Sequence, residues 1–152
     1  MNFLIVYPKH RNSFLNFKLV HKLFSNVTSF PPLILLTISS LLPKQWNKKL
    51  IDINVSDLLD KDILWADYVF INAQPDQKKS AAQIIERCKQ LNTKTVASGS
   101  LFAGADKNYK NIDHFIFDEA EITIPRFLYD LKLGKPKQKY TSLDYSITPT
   151  TF

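Results

Sequence analysis

Trp65-Ala66-Asp67-Tyr68-Val69-Phe70-Ile71-Asn72 decides the fold. The apolar run from Tyr68 to Ile71 has no alternating polar side, which marks a strand buried on both faces, as in a parallel sheet covered by helices. Phe3-Leu4-Ile5-Val6 repeats the pattern at the start of the chain. Residues 2–7 and 67–72 are therefore two strands. Leu50 to Val55 is a third, with Ile51, Ile53 and Val55 alternating, and Thr93–Ala97 and His114–Phe117 are two more.

Helical patterns separate these strands. Ser13 can cap a helix on which Phe14, Phe17, Val20 and Phe24 share a face. Phe30-Pro31-Pro32-Leu33 opens a second helix, with proline in its first turn, and Pro43 ends it. Asp60 to Ala66 is a short helix. Asp76 caps a helix over 77–91 with Ala81, Ile85 and Cys88 on one face. Thr123 caps a last helix that starts at Ile124-Pro125, buries Phe127, Leu128 and Leu131, and stops at Gly134. Strands alternating with helices predict an α/β chain: a flavodoxin-like (Rossmann-like) three-layer sandwich with a five-stranded parallel sheet and right-handed crossovers. Residues 1–134 form the domain, and 135–152, rich in Lys, Ser, Thr and Pro, form a linker.

With 152 residues the chain is long enough for one real core. Its one cysteine, Cys88, excludes an internal disulfide framework and fits a reducing cytoplasm. Met1 to Tyr7 lacks the basic start of a signal peptide. The longest apolar run, Leu33 to Leu42, is half of the ~20 residues a transmembrane span needs. The net charge of +6 comes from scattered lysines. The one dense stretch, Lys132 to Lys139, falls at a helix end and in the linker, where solvated cations are expected, so no nucleic-acid partner is read from it.

Four segments in order carry a resemblance: Ile5-Val6-Tyr7-Pro8, Phe30-Pro31-Pro32-Leu33, Trp65 to Ile71, and Asp113-His114-Phe115-Ile116 leading into Glu119-Ala120-Glu121. Together they resemble the N-terminal cobalamin-binding domain of cobalamin-dependent radical SAM enzymes, most closely the hopanoid methylase-like group. The resemblance covers about residues 2–149, and Leu143 to Pro149 looks like the connector into that family's catalytic barrel. It implies a chain that holds cobalamin for a radical SAM catalytic domain, in cis or in trans, within a methyltransferase-type enzyme. The substrates of that group suggest proximity to a membrane surface. The catalytic half is missing: an iron–sulfur cluster needs several cysteine ligands and this chain has only Cys88, so no cluster and no catalytic residue is assigned to it.

Ligands of an open parallel sheet sit beyond the carboxyl ends of its strands, which points to loops 8–13, 30–32, 72–76, 98–104 and 117–121. Pro8-Lys9-His10-Arg11-Asn12-Ser13 has no glycine to cradle phosphate as a nucleotide loop does. Asn72 stands where a phosphoacceptor domain wants Asp. Methionine synthase-like cobalamin domains place an axial His in Asp-x-His-x-x-Gly, but Pro8 and Ser13 replace the Asp and Gly around His10. His10 therefore reads as a loop histidine beside the cofactor, not a metal ligand.

The resemblance places the cofactor against Pro8, His10, Phe30, Pro31, Asn72, Ala73, Gln74, Ser98, Gly99, Leu101, Phe102 and Glu119. Ser98, Ile34 and Asp118 stand where the resembled domains often have glycine, and a side chain there crowds a ligand or strains a bend. A second reading therefore stays open: a cofactor-free interaction or scaffold domain of the same fold. Glu119 and Glu121 suit either polar contacts or the N-terminus of the last helix. Cys88 reads as a buried inert thiol.

Overall fold

The computed structural model describes residues 1–11 and 33–145. Its elements are β1 (Asn2–Tyr7), α1 (Leu33–Leu41), β2 (Asn47–Asp52), α2 (Asp60–Trp65), β3 (Tyr68–Asn72), α3 (Lys78–Gln90), β4 (Lys94–Ser98), β5 (His114–Ile116), α4 (Ala120–Lys132) and β6 (Lys139–Tyr140). The expected helix over 14–24 with its Ser13 cap, the Phe30-Pro31-Pro32 opening and the connector from Ser146 to Pro149 lie outside the described residues.

All six strands pair in parallel in the order β2-β1-β3-β4-β5-β6. The chain steps from β1 outward to β2, then returns to β3 and builds in the opposite direction. This is the flavodoxin-like order with one strand added, and its topological switch point lies between β1 and β3. The two-residue side-chain period of a strand divides the core into two layers. Leu4, Val6, Val69 and Ile71 face Ile63 of α2 and Ala81, Ile84, Ile85 and Cys88 of α3. Phe3, Ile5, Tyr68 and Phe70 face Leu35 and Ile38 of α1 and Ile124 and Phe127 of α4. The expected three-layer sandwich is present.

Three details correct the expectation. The sheet has six strands, not five, because the start of the expected linker returns to the sheet. Tyr140 is 2% exposed and stacks edge-on against Phe127 with ring centroids 5.6 Å apart. The amides of Phe115 and Phe117 donate to the carbonyls of Gln138 and Tyr140 at 2.7 and 3.0 Å.

β2 begins at Asn47, three residues before its expected start, because its lysines find partners on the helices. Lys48 Nζ donates to the Ser39 and Leu42 carbonyls at 3.0 Å each, filling acceptors at the end of α1. Lys49 lies over the Trp65 ring at 4.4 Å and pairs with Asp62 at 3.3 Å. Residues beyond Asp52 turn away, with the Asn54 amide N–H donating back to Asp52 Oδ1 at 2.9 Å.

α4 begins at Ala120, so Thr123 is not its cap. The Thr123 hydroxyl instead donates to the Glu119 carbonyl at 2.9 Å, one turn back. Pro125 lies within the helix. Among the described residues, no helix is long and apolar enough to cross a membrane.

Candidate functional site

The carboxyl ends of β1, β3, β4 and β5 bring together the loops after them, and two cavities open there. One, of about 460 Å³, is lined by Ile34, Asn72, Gln74, Ser98, Phe117 and Asp118 among others. The other, of about 1010 Å³, opens against the loop after β1 and the first turns of α3. They share no lining residue.

Asn72 closes β3 at 3% exposure. Parallel register sets it beside Ser98, the last residue of β4, and its Nδ2 reaches the Ser98 hydroxyl only at 3.5 Å. No other side-chain hydrogen bond of Asn72 is formed among the described residues. A buried amide so weakly satisfied costs about 1–3 kcal/mol unless a ligand or water completes it. Gln74, two residues on, accepts a hydrogen bond from the Ser100 hydroxyl at 2.6 Å. Ile34 and Phe117 supply the apolar wall of the cavity.

Gly99 has φ +100°, in the left-handed region. A Cβ there would lie 2.4 Å from the Ala73 carbonyl oxygen and 2.9 Å from its nitrogen. This close passage is fixed by Ala73 N–H donating to the Ser98 carbonyl at 3.0 Å and Leu101 N–H donating to the Ala73 carbonyl at 3.1 Å. The bare glycine thus serves the approach of one loop to the other.

Ala73 is fully buried. Leu101 and Phe102 point into the core, where Phe102 packs edge-on against Tyr109 at 4.9 Å. Asp118 adopts φ +61°, unusual for a residue with a side chain. Its carboxylate accepts the Ser142 N–H at 2.8 Å and the Ser142 hydroxyl at 2.9 Å, tying the loop before α4 to the turn at Ser142–Tyr145. Glu119 is exposed at the start of α4 and lines neither cavity. Phe30 and Pro31 lie outside the described residues.

At the switch point the Pro8 carbonyl accepts hydrogen bonds from Gln77 Nε2 at 2.5 Å and Asn54 Nδ2 at 3.2 Å. His10 N–H donates to Asn54 Oδ1 at 3.0 Å. The His10 ring has Nδ1 2.6 Å from Asp76 Oδ2 and Nε2 3.4 Å from Gln77 Nε2. Gln77 Oε1 accepts the Gln74 N–H at 2.8 Å, and its Nε2 donates to Pro8. That orientation offers His10 Nε2 a donor, so Nδ1 carries the proton and donates to Asp76.

Asp76, expected as the cap of α3, is engaged by this histidine. The cap position falls to Gln77, after a tight turn over Pro75–Gln77, without a side-chain cap bond. Sequence reasoning missed Gln77 and Asn54. The spacing Gln74-x-x-Gln77 was the available signal, since a glutamine three residues on can reach back to a free backbone N–H. Among the described residues, no group of three or more His, Cys, Asp or Glu side chains is placed to hold a metal ion.

Cys88 is fully buried on α3, and burial pushes its thiol up from the ordinary 9.0 to about 12. A raised thiol binds its proton more tightly folded than unfolded. Its contribution to stability is therefore complete below pH ~9 and lost as pH rises from there toward ~12. At neutral pH a thiol reagent should label Cys88 only at the rate of unfolding. Stoichiometric labelling within seconds in native buffer would contradict this placement.

The chain is 31% identical over 138 residues to an uncharacterized methyltransferase, sll1242, of Synechocystis sp., a match covering 89% of this chain and 26% of that protein. It is 26% identical over 146 residues to the hopanoid C-2 methylase of Rhodopseudomonas palustris, covering 93% of this chain and 28% of that protein. The chain thus spans about a quarter of the length of the curated relatives it matches. No protein-family model matches the chain. No solved structure matches it.

Proposed function

We propose that this chain is the cobalamin-holding domain of a radical SAM-type methylating enzyme, working with a catalytic domain supplied in cis or in trans. The observation that carries the reading is the buried Asn72 amide, which makes one long side-chain contact among the described residues and lines the cavity between the ends of β3 and β4. Its position follows the rule for ligand sites in open parallel sheets. The homologues' names add the methylation chemistry.

The residues present fit such a group. Asn72 and Gln74 offer amide groups for the polar periphery of the cofactor, and Phe117 offers apolar contact. A volume of about 460 Å³ would admit only part of so large a cofactor. When bound, cobalamin would supply a cobalt-carried methyl group. The chain itself binds, orients and screens it. Because Asp76 and Gln77 engage both ring nitrogens of His10, this chain would hold the cofactor through residues other than this histidine.

Incubation with hydroxocobalamin followed by desalting tests the reading. The expected result is a retained corrin spectrum near one equivalent, unchanged in its cobalt-ligand bands by His10→Ala. Loss of a nitrogen-ligated signature on that substitution would put His10 on the cobalt. Absence of any retained corrin would favour the second reading, a cofactor-free scaffold domain. Two features point that way: Ile34 lines the cavity, and the conformational freedom of Gly99 serves the approach to Ala73.

A further inference from the structure

The second cavity lies at the switch point, and of the residues set against cobalamin above its lining holds His10 alone among the described residues. Its lining includes Lys9, Arg11, Lys78 and Lys79, together with His10 and Asp76. None of the four cations forms an ion pair among the described residues, whereas Lys49, Arg87 and Lys139 each pair with an aspartate. Asp76, the only acid of the lining among the described residues, is engaged by His10. Lys78 and Lys79 open α3, which has no acidic residue in its first turn. Cations at a helix N-terminus oppose its dipole, so the local sequence accumulates positive charge where helix stability alone would favour negative. The floor is partly apolar, with Ile53 and Ala82.

We propose that this cavity binds a phosphate-bearing small molecule. Its phosphate oxygens would face Lys9, Arg11, Lys78 and Lys79, with the Ser80 side chain beside them and any apolar part resting on Ile53 and Ala82. Concavity argues for a small ligand over a membrane surface: a half-open cleft of about 1010 Å³ can seat a compact anion, while a bilayer presents a plane. The loop after β1 has no glycine for backbone cradling, so recognition rests on side-chain charge, unlike that of a nucleotide-binding loop. The proposal does not depend on the cobalamin reading, because the cavities share no residue and the probe is a different compound.

The test is calorimetric titration of the full chain with pyrophosphate, in the absence of cobalamin. Saturable one-to-one binding is expected. Lys78→Gln/Lys79→Gln should weaken it by about tenfold or more, the scale of a lost charge-assisted hydrogen bond. Lys132→Gln/Lys135→Gln, at the far end of α4, should leave it within about twofold, since those charges lie outside the cavity. All these lysines are exposed, so the variants should keep the wild-type circular dichroism. No binding, or an equal loss in both pairs, overturns the proposal. Sedimentation with phosphatidylglycerol vesicles that depends on Lys78 and Lys79, without pyrophosphate binding, overturns it as well and assigns the cations to a lipid surface.

Discussion

Gly99→Ala is expected to destabilise the domain by about 2–5 kcal/mol, from about 1–2 kcal/mol of left-handed backbone strain and about 1–3 kcal/mol of overpacking. The new Cβ would stand 2.4 Å from the Ala73 carbonyl oxygen, a backbone atom held by the Leu101 N–H and unable to swing aside. Relief requires separating the ends of β3 and β4, which also breaks the Ala73–Ser98 hydrogen bond. Against a typical domain stability of about 5–15 kcal/mol, much of the fold's margin would be lost. Gly104→Ala is the internal comparison. It has a similar positive φ of +72° but nothing within 4 Å of the added atom, so it should cost only the conformational part. Urea unfolding of both variants gives the answer. Equal midpoints for the two would mean that the loops yield and that the close approach at Gly99 is not enforced. The comparison also bears on function, because lost cofactor binding in Gly99→Ala would report a collapsed loop before it reported a lost contact.

The sheet was legible because its central strands are buried on both faces, and two-sided burial leaves an unmistakable apolar run at Phe3–Val6 and Tyr68–Ile71. β6 was not legible, since a two-residue strand that begins on a lysine at the end of a lysine-rich stretch has no period to read and only the burial of Tyr140 identifies it. β2 was misplaced for a related reason: Lys48 and Lys49 look like solvent-facing loop residues until their ammonium groups are seen on α1 and α2.

At the candidate site, the strand-end rule located Asn72, Gln74 and Ser98, because position along a parallel strand is a local property. The rule could not say which way the residues of the following loop point, and Leu101 and Phe102 go to the core. Nor could it foresee that Asp76 would meet His10, a contact across 66 positions created by the neighbouring placement of β1 and β3. Pro8 in place of the expected Asp says only that the local motif is absent. A carboxylate still reaches the ring, from a different loop.

Opening the smaller cavity should strengthen cobalamin binding, and Ile34→Gly/Ser98→Gly tests this directly. Both side chains line the cavity. Ile34, 37% exposed, is the second residue of α1 as described and contributes to neither core layer, so its removal leaves the packing against the sheet intact. Removing the Ser98 hydroxyl takes away the one long side-chain contact that the Asn72 amide makes among the described residues, and so leaves the amide more available to the ligand. The opposing cost is backbone entropy, about 0.5–1 kcal/mol for each glycine within a helix or strand, which falls on the stability of the fold. The affinity gain should therefore appear beside a modest fall in the urea midpoint. An increase of about tenfold, ~1.4 kcal/mol, is the expected scale by titration calorimetry with hydroxocobalamin. Unchanged or weaker affinity in a still-folded variant would mean that these two side chains do not limit the site. No binding in either form would leave the Asn72 amide without the proposed ligand and favour a domain whose strand ends meet another protein.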